Sequence, residues 1–272
     1  MSKLHFHKMH GAGNDFILLD GRSVNISSNI SSLVQFLCDR RTGVGADGLM
    51  ILLEDDSCDF RLCYFNADGS EGEMCGNGAR CAAALAHRLG MAPAKMRFVI
   101  LSEEYAATIE VDGQVRIGMP SVVILKQPTE LQHLLRANQR AMLLLEVGVP
   151  HLVVEVEGDL AKIDVAVIGR ELRYHSTFAP RGCNVNFVQL APSGNVLIRT
   201  YERGVEEETR ACGTGAVAAS FYYQQQGVAL PLNVLPPGGE LQIHAAEPGC
   251  DLVGPVAFVF EGRMDLPADM CS

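Results

Sequence analysis

The sequence predicts an α/β fold in which one unit is built twice. Three observations carry that expectation. The segment "CGNGARCAAALAHRLG", starting at Cys75, returns as "CGTGAVAASFYYQQQG", starting at Cys212, and each closes on a glycine fifteen residues on, Gly90 and Gly227. The two cysteines stand 137 positions apart in a chain of 272 residues, close to half its length. Around each of them, apolar runs with strand character change places with runs of helical period. A chain of this length can bury one large core or two ordinary ones, and two similar halves fit the doubled segment.

The first half opens with "FILLDG", an apolar run closed by a turn signal, which reads as a strand. In "SSLVQFLCDRR", Leu33, Phe36 and Leu37 fall on one helical face. A glycine-rich loop, "TGVGADG", follows. "FRLCYF" reads as a strand, "NADGSEGEM" as a polar loop, and the segment after Cys75 as a helix. "YAATIEVDGQVRIGM" holds two alternating runs about Asp112-Gly113, a hairpin signature. Residues 119–147, punctuated by prolines, read as a crossing with a helix that leads into the second half. There the order repeats: strand "HLVVEVEG", helix "DVAVIGRELRYH", a hairpin in "NVNFVQLAPSGNVLIRTYE" about Pro192 to Asn195, a polar loop "RGVEEETRA", and the helix after Cys212. "ELQIHAAEPG" and "DLVGPVAFVFEG" read as further strands. The expected lobes are 1–118 and 119–262, with 263–272 as a tail that packs back on the first.

Composition narrows the classes. Hydrophobic residues at 48%, charged residues at 20% and 27 glycines describe a globular chain rich in turns. The formal charge of −10 points away from nucleic acid and toward small molecules. No apolar run reaches membrane-spanning length and no signal segment opens the chain, so a cytoplasmic protein without membrane contact is expected. Nine cysteines, scattered and without a CxxC pair, suggest neither a disulfide framework nor a metal site. The five lysines lie outside glycine- or serine-rich settings, which leaves a pyridoxal Schiff base without support. Chemistry without a cofactor is the expectation.

A cysteine at a helix start is suited to such chemistry. The first-turn N–H groups lack acceptors within the helix, and the peptide dipoles add partial positive charge, so an anion is favoured there. The thiolate of Cys75 benefits, and so does a substrate carboxylate held by the amides of Gly76 and Asn77; glycine lets the ligand come close to the backbone. Cys212 with Gly213 and Thr214 repeats the arrangement. Two such starts meeting in one cleft would set a thiol on each side of the carbon that bears the carboxylate. One thiolate could take the α-proton while the opposite thiol returned another, inverting the centre. The plain alternative is a pair of tight strand-to-helix turns with incidental cysteines, which the matched doubling disfavours. Neither segment has dinucleotide or phosphate-loop spacing.

The motifs also resemble those of the diaminopimelate epimerases, cofactor-independent enzymes that interconvert LL- and meso-diaminopimelate on the route to lysine and peptidoglycan. The matching pieces are "KMHGAGNDF" (8–16), "RRTGVGADGL" (40–49), "FNADGSEGEMCGNGARC" (65–81), "VPH" (149–151), "NVNFVQ" (184–189), and "YERG" with "ETRACGTGA" within 201–216. The resemblance implies two pseudo-symmetric lobes, each a mixed sheet around a central helix, with the active site in the cleft between them and a homodimer as the assembly. It implies Cys75 and Cys212 as the acid/base pair, and Gly76, Asn77, Gly213 and Thr214 around the reacting carboxylate. Asn14, Asn66, Asn184 and Arg203 match groups that hold the rest of the substrate, and His151 and Glu202 a pair that tunes the cysteines or binds the reacting ammonium.

Three departures from the family pattern stand out. Val149 replaces an asparagine before Pro150, the "ERGVEEETRAC" loop is one residue longer with acids at Glu206 to Glu208, and Phe260 stands where some members carry tyrosine at the dimer contact. The first suggests relaxed specificity toward shorter amino diacids such as glutamate. Other two-cysteine racemases of the same plan, such as proline racemases, and a non-catalytic amino-acid binder are the alternative readings.

Overall fold

The computed structural model describes residues 3–23, 29–134, 139–247 and 249–267, with backbone alone at 130, 132, 134 and 140–142. These residues form two compact units, one running to Ile117 and resumed at Gly254, the other Gly118–Val253.

In the first unit, β1 (Lys3–Gly11) and β2 (Asn14–Asp20) make a hairpin whose turn residues, Ala12 and Gly13, have φ of 51° and 80°, the left-handed pair that a tight hairpin needs. Then come α1 (Ile30–Cys38), β3 (Gly48–Leu53), β4 (Phe60–Asn66), α2 (Gly76–Arg88), β5 (Lys95–Ile100), β6 (Glu103–Ile109) and β7 (Val115–Met119). β2 and β3 are parallel, joined through α1; β3 and β4 are antiparallel; β4 and β5 are parallel, joined through α2; β5, β6 and β7 continue antiparallel.

The second unit repeats these pairings. Its elements are β8 (Val123–Lys126), β9 (Gln139–Val147), β10 (Val149–Val156), α3 (Val165–Arg173), β11 (Asn184–Leu190), β12 (Val196–Glu202), β13 (Glu207–Thr209), α4 (Gly213–Gln224), β14 (Leu232–Leu235), β15 (Leu241–Ala245) and β16 (Cys250–Gly254). β9 and β10 are antiparallel, β10 and β11 parallel through α3, β11 and β12 antiparallel, β12 and β14 parallel through α4, and β14, β15 and β16 antiparallel. One more antiparallel strand extends each unit: β8 lies on β9, and β17 (Ala257–Asp265) lies on β1.

Several elements differ from the sequence reading. Residues 119–147 hold β8, a 3₁₀ turn at Thr129–Leu134 and β9, with 135–138 outside the described residues. The helical stretch is confined to that turn after Pro128, and the run Leu143–Leu145 is buried on both faces of a strand. "DLVGPVAFVFEG" is two strands parted around Pro255, which has no N–H for a ladder. The chain therefore returns to the first unit at Gly254, before residue 263. The tail beyond Leu266 and Pro267 lies outside the described residues.

Strand parity places each helix. In β2, Ile17 and Leu19 enter the core beneath α1, with Leu33, Val34 and Leu37, whereas Phe16 looks the other way toward α2. In β10 and β11, Leu152, Val154, Val185 and Phe187 pack with Ile168 and Leu172 of α3. The alternate positions, His151, Asn184 and Asn186, thus face away from α3, and Asn186 meets Gly215 in the first turn of α4. Both α2 and α4 are buried along most of their length, which is why alanine and glycine dominate them: small side chains let strands approach from several sides. Each ends before a glycine with positive φ, Gly90 at 66° and Gly227 at 87°, the usual left-handed helix stop.

Candidate active site

Cys75 and Cys212 are the residues immediately before α2 and α4, with near-identical backbone angles: φ −118°, ψ 109° and φ −125°, ψ 112°. That extended conformation lets each cysteine carbonyl accept the first helical bond, from Ala79 and Ala216. Cys212 Sγ accepts from the Gly215 N–H at 3.4 Å and lies 3.5 Å from Thr214 Oγ1. Amide donation of this kind favours the thiolate.

In the first unit, Asn14 joins Cys75 to the helix. Its Oδ1 accepts from the Cys75 thiol, Sγ at 3.8 Å, and from Asn77 Nδ2 at 3.2 Å. Its Nδ2 donates to Asp47 at 2.7 Å, which fixes the amide's orientation. Asp47 in turn belongs to an ion network with Arg40 and Asp15, and Lys8 closes it. Burial alone would raise the Asp15 carboxyl, but hydrogen bonds and charge from Arg40 and Lys8 outweigh it and hold the group at about 2. Asn66 stands apart from this chain of contacts: Tyr64 donates to its Oδ1 at 3.0 Å and its amide donates to Ser70.

In the second unit the parallel register of β10 and β11 sets His151 opposite Asn184. The Arg203 N–H donates to Asn184 Oδ1 at 2.8 Å, and Thr200 Oγ1 donates to Asn186 Oδ1 at 3.0 Å. Both amide NH₂ groups are thereby turned toward the His151 ring, Asn186 at 3.1 Å from Nδ1 and Asn184 at 3.4 Å from Nε2. A neutral imidazole accepts at one nitrogen only. The shorter contact assigns Nδ1 as acceptor and leaves the proton on Nε2. Burial, and after it the Arg203 charge, press His151 down to about 3, so the ring is neutral at physiological pH. Glu202 accepts from Thr209 Oγ1 at 2.7 Å.

Two groups escaped the sequence reading. Asn186 and Thr200 lie in strands as polar residues among apolar neighbours, and the Asn-x-Asn spacing on one strand face was the available signal. Arg80, wholly buried, donates to Gly76 O at 3.0 Å and Asn77 Oδ1 at 2.9 Å; an arginine inside an alanine-rich helix gives no such sign. Of the remaining cysteines, Cys38, Cys58, Cys63, Cys81, Cys183 and Cys250 are free thiols, and Cys271 lies outside the described residues. Among the described residues one group, His5, His7 and Glu261, has metal-ligating atoms within 4.8 Å of one another. No helix among the described residues is long and apolar enough to cross a membrane.

A family model described as diaminopimelate epimerase matches residues 6–125 and 143–258. The chain belongs to the diaminopimelate epimerase family. The diaminopimelate epimerase of Aquifex aeolicus (strain VF5) is 39% identical over 96% of this chain and 98% of its own, and that of Chlorobaculum tepidum is 40% identical over 78% and 80%. Solved structures share the fold at greater distance. A phenazine biosynthesis protein of the PhzF family from Bacillus anthracis has a TM-score of 0.76 at 14% identity, covering 98% of this chain and 100% of that one. A probable proline racemase from Agrobacterium radiobacter K84 has a TM-score of 0.70 at 14% identity, covering 97% and 93%. Membership in the epimerase family makes the chain an isomerase.

Proposed function

We propose that Cys75 and Cys212 carry out, from opposite faces of one α-carbon, the epimerisation of LL- to meso-diaminopimelate that defines this family. The observation that carries the reading is the pair of cysteines at equivalent helix starts, in matching conformation, in two units with the same strand pairings. The thiolate of one cysteine removes the α-proton, and the electron pair spreads into the adjacent carboxylate. The other thiol then delivers its proton to the opposite face, ending as thiolate; the reverse reaction exchanges the roles. The amides of Gly76, Asn77, Gly213 and Thr214 stabilise the charge on the carboxylate, since preorganised donors act most strongly where charge develops.

Asn14, Asn66, Asn184 and Arg203 take the remainder of the substrate, with the Arg203 guanidinium suited to the distal carboxylate. His151, as an Nε2–H donor, and Glu202 complete the polar surroundings. Each compact unit is one epimerase lobe, and the thiols supply both proton transfers without a cofactor. The enzyme works as a cytoplasmic homodimer. Supporting the assembly, Phe258, Val259 and Phe260 of β17 are exposed.

Cys75→Ala and Cys212→Ala test the mechanism. Each should lower turnover of LL-diaminopimelate by about 10²–10⁴-fold, the usual contribution of a general acid or base, with the fold retained. Near-normal epimerisation by either variant, followed by chirality and by deuterium uptake at Cα, would remove that cysteine from the reaction.

A further inference from the structure

His5, His7 and Glu261 gather on the first unit, apart from the residues assigned to epimerisation. His5 and His7 stand two apart on β1, so their side chains leave the same face of the strand. The antiparallel register with β17 sets Glu261 opposite His7, on that face as well. Leu4, Phe6 and Met264, at alternate positions, enter the core that holds α1, and the histidine face is turned away from it. The two imidazole rings lie edge to face with centroids 5.0 Å apart, and His7 Nδ1 is 3.7 Å from Glu261 Oε2. One ligating atom from each of the three comes within 4.8 Å of the other two. The His7–Glu261 separation is too long for a hydrogen bond. It is close to the spacing of two ligands on one ion: bonds of about 2 Å in a tetrahedral zinc site part the donors by about 3.3 Å. The His7 side chain is 7% exposed, yet among the described residues its ring has no hydrogen-bond partner. The Glu261 side chain is 61% exposed, which gives an ion a way in from water.

We propose that His5, His7 and Glu261 form a binding site for one divalent transition ion of the zinc class, which ties β17 to β1. Two imidazole nitrogens and a carboxylate oxygen are donors that such ions favour, whereas magnesium and calcium take oxygen ligands. Three protein donors leave the fourth tetrahedral position to water, on the side where Glu261 is exposed. The charges near the site are of both signs. Glu261 and Asp20 act on His7 in one direction and Arg88 in the other. The Arg88 guanidinium lies over the Phe258 ring, 4.4 Å from its centroid, and Arg263, opposite His5, is exposed. The ion's part in the fold is mechanical: β17 returns the chain to the first unit and pairs with β1, and the ion adds a cross-link through side chains to that ladder. It takes no part in the proton transfers of Cys75 and Cys212, so this site and the epimerase mechanism are tested independently.

Thiols also bind zinc, so the test uses the full-length enzyme with its accessible cysteines capped by iodoacetamide, titrated calorimetrically with zinc chloride and, as control, with magnesium chloride. The wild type should bind one zinc per chain and no magnesium, and its Tm should rise with free zinc. His5→Gln and Glu261→Gln should each weaken zinc binding by at least about 10–100-fold, the loss that removing even an outer partner of a ligand brings. His7→Gln should do the same; His7 is buried, and should that variant not fold, the other two decide. In crystals of the uncapped enzyme loaded with zinc, anomalous scattering at the zinc edge should place the ion between the three side chains. No binding by the wild type in large zinc excess, undiminished binding in His5→Gln or Glu261→Gln, or an ion found only at cysteines would overturn the proposal.

Discussion

Gly78 and Gly215 occupy the same place in their helices, three residues after the cysteine, yet a methyl group added at each meets different neighbours. At Gly215 an added Cβ would lie 2.4 Å from Asn186 Oδ1 and 3.3 Å from Cys212 Sγ. Ordinary contact requires the oxygen to retreat by about 1 Å. Asn186 is held from three directions, by Thr200 at 3.0 Å, His151 at 3.1 Å and Leu152 O at 3.3 Å, so the move breaks at least one buried hydrogen bond. An orphaned buried group costs about 1–3 kcal/mol and overpacking about 1–3 more, against a gain of about 1 kcal/mol from replacing glycine by alanine in a helix. The expected net loss is about 1–5 kcal/mol, or a fall in Tm of about 2–20 °C, with turnover lost as the His151 ring is released. At Gly78 the added Cβ meets Met50 Cε at 1.7 Å and Sδ at 3.0 Å. That is the end of a side chain with three rotatable bonds, which can swing aside. Overpacking of about 1 kcal/mol and the helix gain nearly cancel, so Gly78→Ala should melt within about 2 °C of wild type. Thermal unfolding of the two full-length variants, with turnover of LL-diaminopimelate, decides. Equal Tm losses in both, or a wild-type Tm in Gly215→Ala, would refute the reasoning.

Two further outcomes are expected. His151 is held at about 3 in the folded chain by burial and then by Arg203, against about 6.5 when unfolded; the unfolded chain therefore binds the extra proton between those values, and stability falls as pH drops below about 6.5, by up to about 1.4 kcal/mol per unit. Urea unfolding at pH 6.5, 5.8 and 5.0 should show a shallower acid limb for His151→Gln, and an identical slope would count against a buried neutral imidazole. Val149, buried at the start of β10, leaves out an amide that a stringent pocket would use, so measurable racemisation of L-glutamate is expected and should diminish in Val149→Asn; no detectable wild-type turnover, at enzyme concentrations that epimerise diaminopimelate readily, would end that idea.

Local rules were enough for the doubled helix starts. Cys-Gly-x-Gly-Ala, a run of small residues and a closing glycine specify a buried helix and its ends through steric and capping effects within about fifteen positions. The hairpins about Gly113 and Gly194 were legible for the same reason, since a turn that demands positive φ writes glycine into the chain. Family motifs then marked Asn14, Asn184, His151 and Arg203. Other features depend on partners far away in the chain. Nothing near Asn186 announces that Thr200 will hold its oxygen and His151 its amide, because the parallel register of β10 and β11 and the antiparallel register with β12 bring those three together. Likewise β17 has the alternation of any exposed strand, and only pairing with β1 assigns it to the first unit. Arg80 is the sharpest case. Charge in a helix ordinarily seeks water, so its sequence position predicts a solvated face; the strands packed around α2 remove the water and leave the guanidinium facing Asn77 and the turn that carries Cys75.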